Sequence, residues 1–172
     1  MPHDVDVQAE PVELTAPEKL TEQHDVSGFA CGDESIDDYL QKRALNAQKQ
    51  KHAAVYVSLF KGTNRVAAFY TLSAGSVVRG DMPKSMQRNA PNAIPATILG
   101  RMGVSHVAQG FGFAEDLLRD AIGRCLGAST IVASAAIVVH PLSERLAEFY
   151  ARKAGFVPCP ALLPMTMILS LR

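Results

Sequence analysis

The chain has 172 residues, of which 48% are apolar and 20% charged, as expected for one globular domain with a substantial core. Its 17 Lys and Arg residues balance 17 Asp and Glu residues, so net charge gives no general attraction to a polyanion. The longest apolar run, 126–139, is interrupted and too short to cross a bilayer, and the N-terminus lacks a signal peptide's basic start. The sequence therefore predicts a cytoplasmic protein without a membrane partner.

The first half of the chain predicts a short lead-in followed by a helix and a β-meander. Residues 1–12 are polar and acidic and predict a disordered lead-in, and residues 13–172 predict a single domain. Asp33 or Ser35 is suited to cap a helix that follows directly. Two β-rich runs then flank a hairpin turn, and these are Ala54–Phe60 and Arg65–Gly75.

The second half predicts alternating strands and helices after a long connection over 79–96, which contains three prolines and a short helix near 84–88. The predicted elements are a strand over 97–104, an amphipathic helix from Phe113, a strand over 129–139, a helix over 142–154 and a strand within 162–171. Together these elements predict an α/β fold, with a mixed and mostly antiparallel sheet and helices on both faces.

The loop between the third predicted strand and the amphipathic helix has the composition of a phosphate-binding turn. Gly110 and Gly112 lack a Cβ, so the chain can turn sharply and bring backbone N–H groups toward an anion at the helix N-terminus. The segment lacks the Gly-Lys-Ser/Thr of a P-loop and the Gly-x-Gly-x-x-Gly of a dinucleotide fold. From the residues alone, an ordinary tight turn remains the alternative.

Gln109, Gly112 and Ala114 match the Gln/Arg-x-x-Gly-x-Gly/Ala signature of the GCN5-related N-acetyltransferase (GNAT) family, which the chain resembles. Residues 149–156 match the Phe-Tyr-x-x-x-x-Gly-Phe ending of that family's last helix. The opening 29–40, Phe-x-Cys-Gly followed by Ile-Asp-Asp-Tyr-Leu, resembles one branch, the acetyltransferase toxins of bacterial toxin–antitoxin pairs. The resemblance covers about residues 13–172.

This resemblance implies a GNAT fold, an acetyl-coenzyme A cofactor and a set of site residues. Tyr150 would be the catalytic acid that protonates the coenzyme A sulfur, although its helical stripe alone favours a buried core tyrosine. No metal site is predicted. The residues implied in cofactor binding are Met102, Gly103, Val104, Gln109, Gly110, Phe111, Gly112, Phe113, Ala114 and Ser143. Relatives commonly carry a basic residue where this chain has Phe111, which predicts weaker coenzyme A binding.

The resemblance also implies a substrate and partners. The sequence shows no obvious general base, and an α-amine, with a pKa of about 7.7–8.0, needs less help than lysine to lose its proton. The resemblance to the toxin branch implies aminoacyl-tRNA as the substrate, and its α-amine is compatible with a site that lacks a base. The resemblance also implies a small ribbon-helix-helix DNA-binding antitoxin as partner and allows a homodimer. Residues expected to contact tRNA are Lys42, Arg43, Arg79, Lys84, Arg88 and Arg101. The alternatives are a general N-acetyltransferase of a small amine, peptide or protein and a non-catalytic module that binds partners.

Overall fold

The computed structural model describes residues 11–172, so residues 1–10 of the predicted lead-in lie outside the described part. The helices are α1 (Glu34–Lys42), α2 (Ala44–Lys49), α3 (Lys84–Gln87), α4 (Phe113–Ala128) and α5 (Glu144–Ala154). The strands are β1 (Glu18–Lys19), β2 (Ala54–Leu59), β3 (Val66–Val78), β4 (Ala93–Val104), β5 (Ala136–Val139), β6 (Val157–Pro158) and β7 (Met167–Ser170).

Within residues 11–172 the strands form one sheet in the order β1-β2-β3-β4-β5-β7-β6. Neighbouring strands are antiparallel except β4 and β5, which run parallel. A short turn joins β2 to β3, and a longer connection that contains α3 joins β3 to β4, whereas the parallel pair β4 and β5 needs α4 as a crossover between its strands. The predicted mixed, mostly antiparallel sheet is confirmed.

Helices cover both faces of this sheet, as consecutive residues of β3 demonstrate. Phe69 packs in a cluster with Tyr39 and Leu40 of α1, whereas Tyr70 packs in a cluster with Leu118 of α4. Adjacent strand residues point to opposite faces. The predicted placement of helices on both faces is confirmed, and the α5 residue Tyr150 belongs to the α4 side.

The β3–β4 hairpin is longer than the sequence predicts. Pairing runs from Ala68 opposite Val104 to Val78 opposite Ala93, so the connection spans only 79–92 and contains α3. The predicted start of the third strand at 97 was wrong because Pro95, which cannot donate a backbone hydrogen bond, is still accommodated within the register opposite Ser76.

The predicted strand over 129–139 was wrong in its first part. The hydroxyls of Ser129 and Thr130 donate to the carbonyls of Leu126 and Gly127, at 2.7 Å each, and so satisfy the end of α4. The β-branched residues that suggested a strand are instead largely exposed, Ile131 at 85% and Val132 at 76%. Strand β5 begins only at Ala136.

Two further boundaries differ from the prediction. Arg43 adopts φ −127° and separates α1 from α2, so two short helices stand where the sequence predicted a single helix after Asp33 or Ser35. The last strand is confined to Met167–Ser170, since Pro160 and Pro164 lack a backbone donor for pairing. Among the described helices, none combines the length and apolar character that a membrane crossing requires.

Candidate active site

A cleft opens where β4 and β5 stop pairing. Their parallel register covers only 96–98 of β4, so Met102, Gly103 and Val104 lie beyond the last pair, Ile98 with Val138. The cleft at this open edge has a volume of about 610 Å³. Seven of the sequence-predicted residues line it, namely Met102, Gly103, Val104, Gln109, Ala114, Ser143 and Tyr150. The remaining four cofactor candidates, Gly110, Phe111, Gly112 and Phe113, form the adjoining turn and the first residue of α4.

That turn leaves the N-terminus of α4 without a cap. Gly110 and Gly112 have φ values of +86° and +84°, which glycine adopts without steric cost. Gly112 precedes α4, and no side chain caps the helix there. Within residues 11–172, the backbone N–H groups of 110–115 find no acceptor. An anion at this point would meet several free donors and the positive end of the helix dipole.

The free donors border a second cavity of about 240 Å³ that adjoins the cleft. Both cavities are lined by Val104, Gln109, Ala114 and Phe149, so one elongated space runs from the α4 N-terminus past the open edge of β4. This shape fits an extended ligand with an anionic end and an apolar arm. The donor set and the cavity therefore fit coenzyme A.

Tyr150 sits in the cleft with its ring buried and its hydroxyl free. The residue is 8% exposed, and its ring centroid lies 5.5 Å from that of Phe149 and 5.4 Å from that of Phe156. Burial raises the pKa of Tyr150 to about 12. No buried side-chain oxygen or nitrogen in the described residues lacks a partner, and the hydroxyl has no protein partner, so it opens into the cleft. A protonated phenol is available there at neutral pH.

Ser143 lines the cleft but also serves its own helix. Its hydroxyl accepts a hydrogen bond from the backbone N–H of Leu146, at 3.2 Å, and caps α5. The hydroxyl hydrogen remains to be donated, so a hydrogen bond from Ser143 to the cofactor is compatible with the cap.

Phe111 is 57% exposed, and its ring centroid lies 6.1 Å from that of Phe113. A cation does stand beside the loop, however, on another helix. Lys153 of α5 lines the 240 Å³ cavity and pairs with Glu115, its Nζ 3.3 Å from a carboxylate oxygen. Sequence reasoning missed Lys153. The available signal was its position three residues after Tyr150, on the same helical face.

The six residues predicted to contact tRNA are all exposed, but they do not form one group. The Arg101 guanidinium, in the part of β4 that borders the cleft, is 3.9 Å from the ring centroid of Tyr39. Lys42 and Arg43 lie at the opposite end of α1 from the residues that line the cleft, and Lys42 borders a separate cavity. Arg79, Lys84 and Arg88 lie around α3, at the far end of the hairpin. The eight steps along β4 from Arg101 to Ala93 separate Arg101 from this α3 group by about 26 Å.

Known proteins place this architecture in a family. No protein-family model matches the chain. A tRNA-acetylating toxin of Mycobacterium tuberculosis (strain ATCC 25618 / H37Rv) is 40% identical over 136 residues, which are 79% of this chain and 81% of that protein. The probable toxin TacT of Sinorhizobium fredii (strain NBRC 101917 / NGR234) is 28% identical over 86% of this chain and 85% of its own.

Solved structures agree. AtaT complexed with acetyl-methionyl-tRNAfMet superposes with a TM-score of 0.84 at 27% identity, covering 92% of this chain and 95% of AtaT. A tyrosine-to-phenylalanine mutant of KacT gives 0.85 at 26% identity, with coverage of 92% and 95%. AtaTR bound with acetyl-coenzyme A gives 0.79 at 27% identity, with coverage of 92% and 94%. The chain therefore belongs to the GCN5-related N-acetyltransferase family, in the branch formed by the acetyltransferase toxins of bacterial toxin–antitoxin systems.

Proposed function

We propose that this protein is a toxin that transfers the acetyl group of acetyl-coenzyme A to the α-amine of aminoacyl-tRNA and so blocks translation. The observation that carries the proposal is the pairing of two features in one cleft. Unsatisfied backbone amides face the space at one end, and the free hydroxyl of Tyr150 faces it further along. A relative 40% identical to this chain is a tRNA-acetylating toxin.

The chain's residues fit the cofactor in three places. The N–H groups of 110–114 would hold the diphosphate, with Lys153 as the nearby cation. The unpaired edge of Met102–Val104 would receive the amide groups of the pantetheine arm as an additional strand would. Acetyl-coenzyme A supplies the acetyl thioester. Binding at both ends would hold the thioester in the cleft that Tyr150 lines, and such positioning is a large part of catalysis.

Tyr150 acts as the proton donor in this proposal. As the nitrogen–carbon bond forms and the carbon–sulfur bond breaks, negative charge would develop on sulfur, and the phenol would donate a hydrogen bond and its proton there. The proton that the nitrogen loses would pass to solvent, from which Tyr150 would recover its own. The raised pKa keeps the donor protonated at neutral pH. The phenol is a weaker acid than a thiol, whose usual pKa is about 8.5, so Tyr150 stabilises the departing sulfur mainly within the transition state.

The acceptor must arrive partly deprotonated, because neither the sequence nor the lining of the cleft supplies an obvious base. Asp33 is the carboxylate that lines the cleft, and hydrogen bonds from Ser35 hold the pKa of that carboxyl below its usual value. A carboxylate of such low basicity is a poor proton acceptor. An α-amine, with a pKa of about 7.7–8.0, is partly neutral without help.

The basic side chains suit a substrate as long as tRNA. Arg101 lies beside the cleft, and the α3 group of Arg79, Lys84 and Arg88 lies about 26 Å away along the hairpin. A single small amine would contact only Arg101. A double-stranded acceptor arm can reach both, and phosphate contacts of this kind position a nucleic acid without reading its sequence. The distance therefore favours tRNA over a small amine.

Two further parts of the proposal follow from the family branch. The reaction runs in the cytoplasm, where charged tRNA is found. A small DNA-binding antitoxin of the ribbon-helix-helix type neutralises the toxin, and the proposal applies equally to a monomer and a homodimer.

The test is acetylation of charged tRNA by the purified protein, followed by mass spectrometry of the tRNA digest. We expect an acetylated aminoacyl-adenosine, and we expect Tyr150→Phe to lower turnover by about tenfold or more while acetyl-coenzyme A binding stays nearly unchanged. Deacylated tRNA is the control for acetylation elsewhere on the nucleic acid. Equal turnover by both proteins would remove Tyr150 from the mechanism, and acetylation only of free amines or peptides would favour the general N-acetyltransferase.

A further inference from the structure

The N-terminal Phe-x-Cys-Gly segment lies directly against the chain that leads into the cofactor loop. The backbone N–H of His106 donates to the carbonyl of Ala30, at 2.9 Å. The side-chain amide of Gln109 donates to the carbonyl of Cys31 at 2.8 Å and to that of Val104 at 2.9 Å. Both hydrogens of one amide therefore join the N-terminal segment, the end of β4 and the loop.

The segment is itself firmly placed. The backbone N–H of Cys31 donates to a carboxylate oxygen of Asp37 in α1, at 2.8 Å. Phe29 is buried and packs edge-on against Phe69 of β3, with ring centroids 5.4 Å apart. The segment can thus act as a fixed support, since it is anchored to both the sheet and α1.

A side chain at Gly32 would be both strained and crowded. The φ of Gly32 is +100°, which residues with a side chain rarely adopt, and a Cβ there would lie 3.1 Å from Cε1 of His106, so the imidazole would have to shift by a few tenths of an ångström. The backbone conformation favours glycine, and the close approach of His106 adds to that preference. The glycine of the N-terminal motif therefore suits its contact with the chain that leads into the cofactor loop.

We propose that residues 29–33 form a clamp on the cofactor loop, and that Gln109 is the positioning residue through which the clamp fixes the backbone amides of 110–114. The inference rests on the proposed function in one respect, that the loop binds acetyl-coenzyme A. A loop fixed before binding loses less conformational entropy when the ligand arrives. The motif that marks the toxin branch then has a physical task, which is to preorganise the diphosphate site.

The clamp is tested by removing the donors of Gln109 while its length is kept. Gln109→Met retains the shape and loses both hydrogen bonds, and Gln109→Arg, which the family signature allows, restores donors. We expect Gln109→Met to weaken acetyl-coenzyme A binding by about tenfold, to leave kcat at saturation within about twofold, and to speed amide hydrogen exchange of 110–114 in the unliganded protein. Gln109→Arg should return exchange toward the wild-type rate.

The matched control is Gln87→Met, since the amide of Gln87 also donates to a backbone carbonyl, that of Met82 at 2.7 Å, but lies in α3. Gly32→Ala disturbs the N-terminal segment of the clamp and should also speed amide hydrogen exchange of residues 110–114. Weaker binding with unchanged exchange would mean that Gln109 touches the ligand directly and would overturn the clamp. Unchanged binding and exchange would overturn it as well. Failure of the wild-type protein to bind acetyl-coenzyme A would refute the proposed function alone, because exchange in the unliganded protein still reports on the clamp.

Discussion

Helices α1 and α4 begin in opposite ways. At α1, Asp33 has the extended backbone of an N-cap, with φ −118°, and its carboxylate accepts from the N–H groups of Ser35 at 2.9 Å and Ile36 at 3.4 Å. At α4, Gly112 has φ +84° and offers no side chain, so the first amides stay free. One helix end is satisfied by the protein and the other is left for a ligand.

The fold tolerates the open end because α4 is held by its buried face. A missing cap costs about 1 kcal/mol. Burial of a leucine side chain contributes about 1.5–3 kcal/mol, and Leu117 and Leu118 are both buried against the sheet. Packing thus exceeds the loss at the terminus. The N-terminus of α4 can therefore bind an anion at little cost to stability, because the buried face of the helix holds it in place.

The largest expected effect comes from placing an acidic residue at the open N-terminus of α4. We expect Gly112→Asp to weaken acetyl-coenzyme A binding by about 100-fold, which is about 2.7 kcal/mol, because its carboxylate would compete with the diphosphate for the free amides and repel it. Isothermal titration calorimetry measures the effect.

Gly112→Asn is the matched control for this variant. It has nearly the same shape and tolerates the left-handed conformation, but it lacks the charge. Its loss of affinity should be clearly smaller. Equal losses for the two variants would show that the backbone conformation, and not the electrostatics of the helix end, controls binding.

Asp33→Ala removes the cap at the N-terminus of α1. We expect this variant to lower the free energy of unfolding by about 1–2 kcal/mol at neutral pH. Hydrogen bonds from Ser35 lower the pKa of Asp33 from its ordinary 3.8, so its stabilisation is present above pH 3.8 and is lost as pH falls through the lowered value. Urea unfolding at pH 7 and near pH 2.5 measures both states. A difference between wild type and variant that persists undiminished in acid would contradict the role of the charged cap.

The sequence predicted those parts of the site that follow from local chemistry. Gly110 and Gly112 signalled the turn, and Asp33 caps α1 as the sequence predicted, because capping needs only nearby residues. The cap that Ser143 provides for α5 was not predicted. The strand over 129–139 was wrong since Ser129 and Thr130 satisfied a helix end that the apolar pattern did not reveal.

Contacts between distant segments were not predictable in this way. Gln109 meets Cys31 across 78 positions, and Lys153 reaches Glu115 from another helix. Nothing in the local pattern distinguishes these residues from ordinary polar surface residues, since the packing of α5 beside α4 brings Lys153 to the loop. The sequence motifs therefore located the loop, whereas the positions of Gln109 and Lys153 beside it became visible only in the fold.

Removal of Lys153 should have a smaller effect on binding, because this side chain adds one cation beside the open N-terminus of α4. We expect Lys153→Met to weaken acetyl-coenzyme A binding by about three- to tenfold and to reduce the salt dependence of that binding, since a cation beside the diphosphate is lost while Glu115 keeps only its 3.6 Å contact with Arg119. Lys61→Met is the matched control, because Lys61 also pairs with a glutamate, Glu13, at 2.9 Å on another surface. Equal affinity for all three proteins at low salt would exclude Lys153 from the site.

The smallest expected effect concerns Tyr150, and it is that the acetylation rate does not change between about pH 8 and pH 10. Because burial raises the pKa of Tyr150 to about 12, the phenol should stay protonated well above neutral pH. Single-turnover rates at saturating acetyl-coenzyme A should rise as the α-amine loses its proton, up to about pH 8, and then remain level to about pH 10. An amide-linked aminoacyl-tRNA avoids loss of the ester in alkali, and Tyr150→Phe should show the same profile at a lower rate. The contrary result would be a wild-type rate that falls between pH 8 and 10 while the rate of Tyr150→Phe does not. Such a fall would mean that the phenol ionises in that range, so Tyr150 could not be the buried, protonated acid of the cleft.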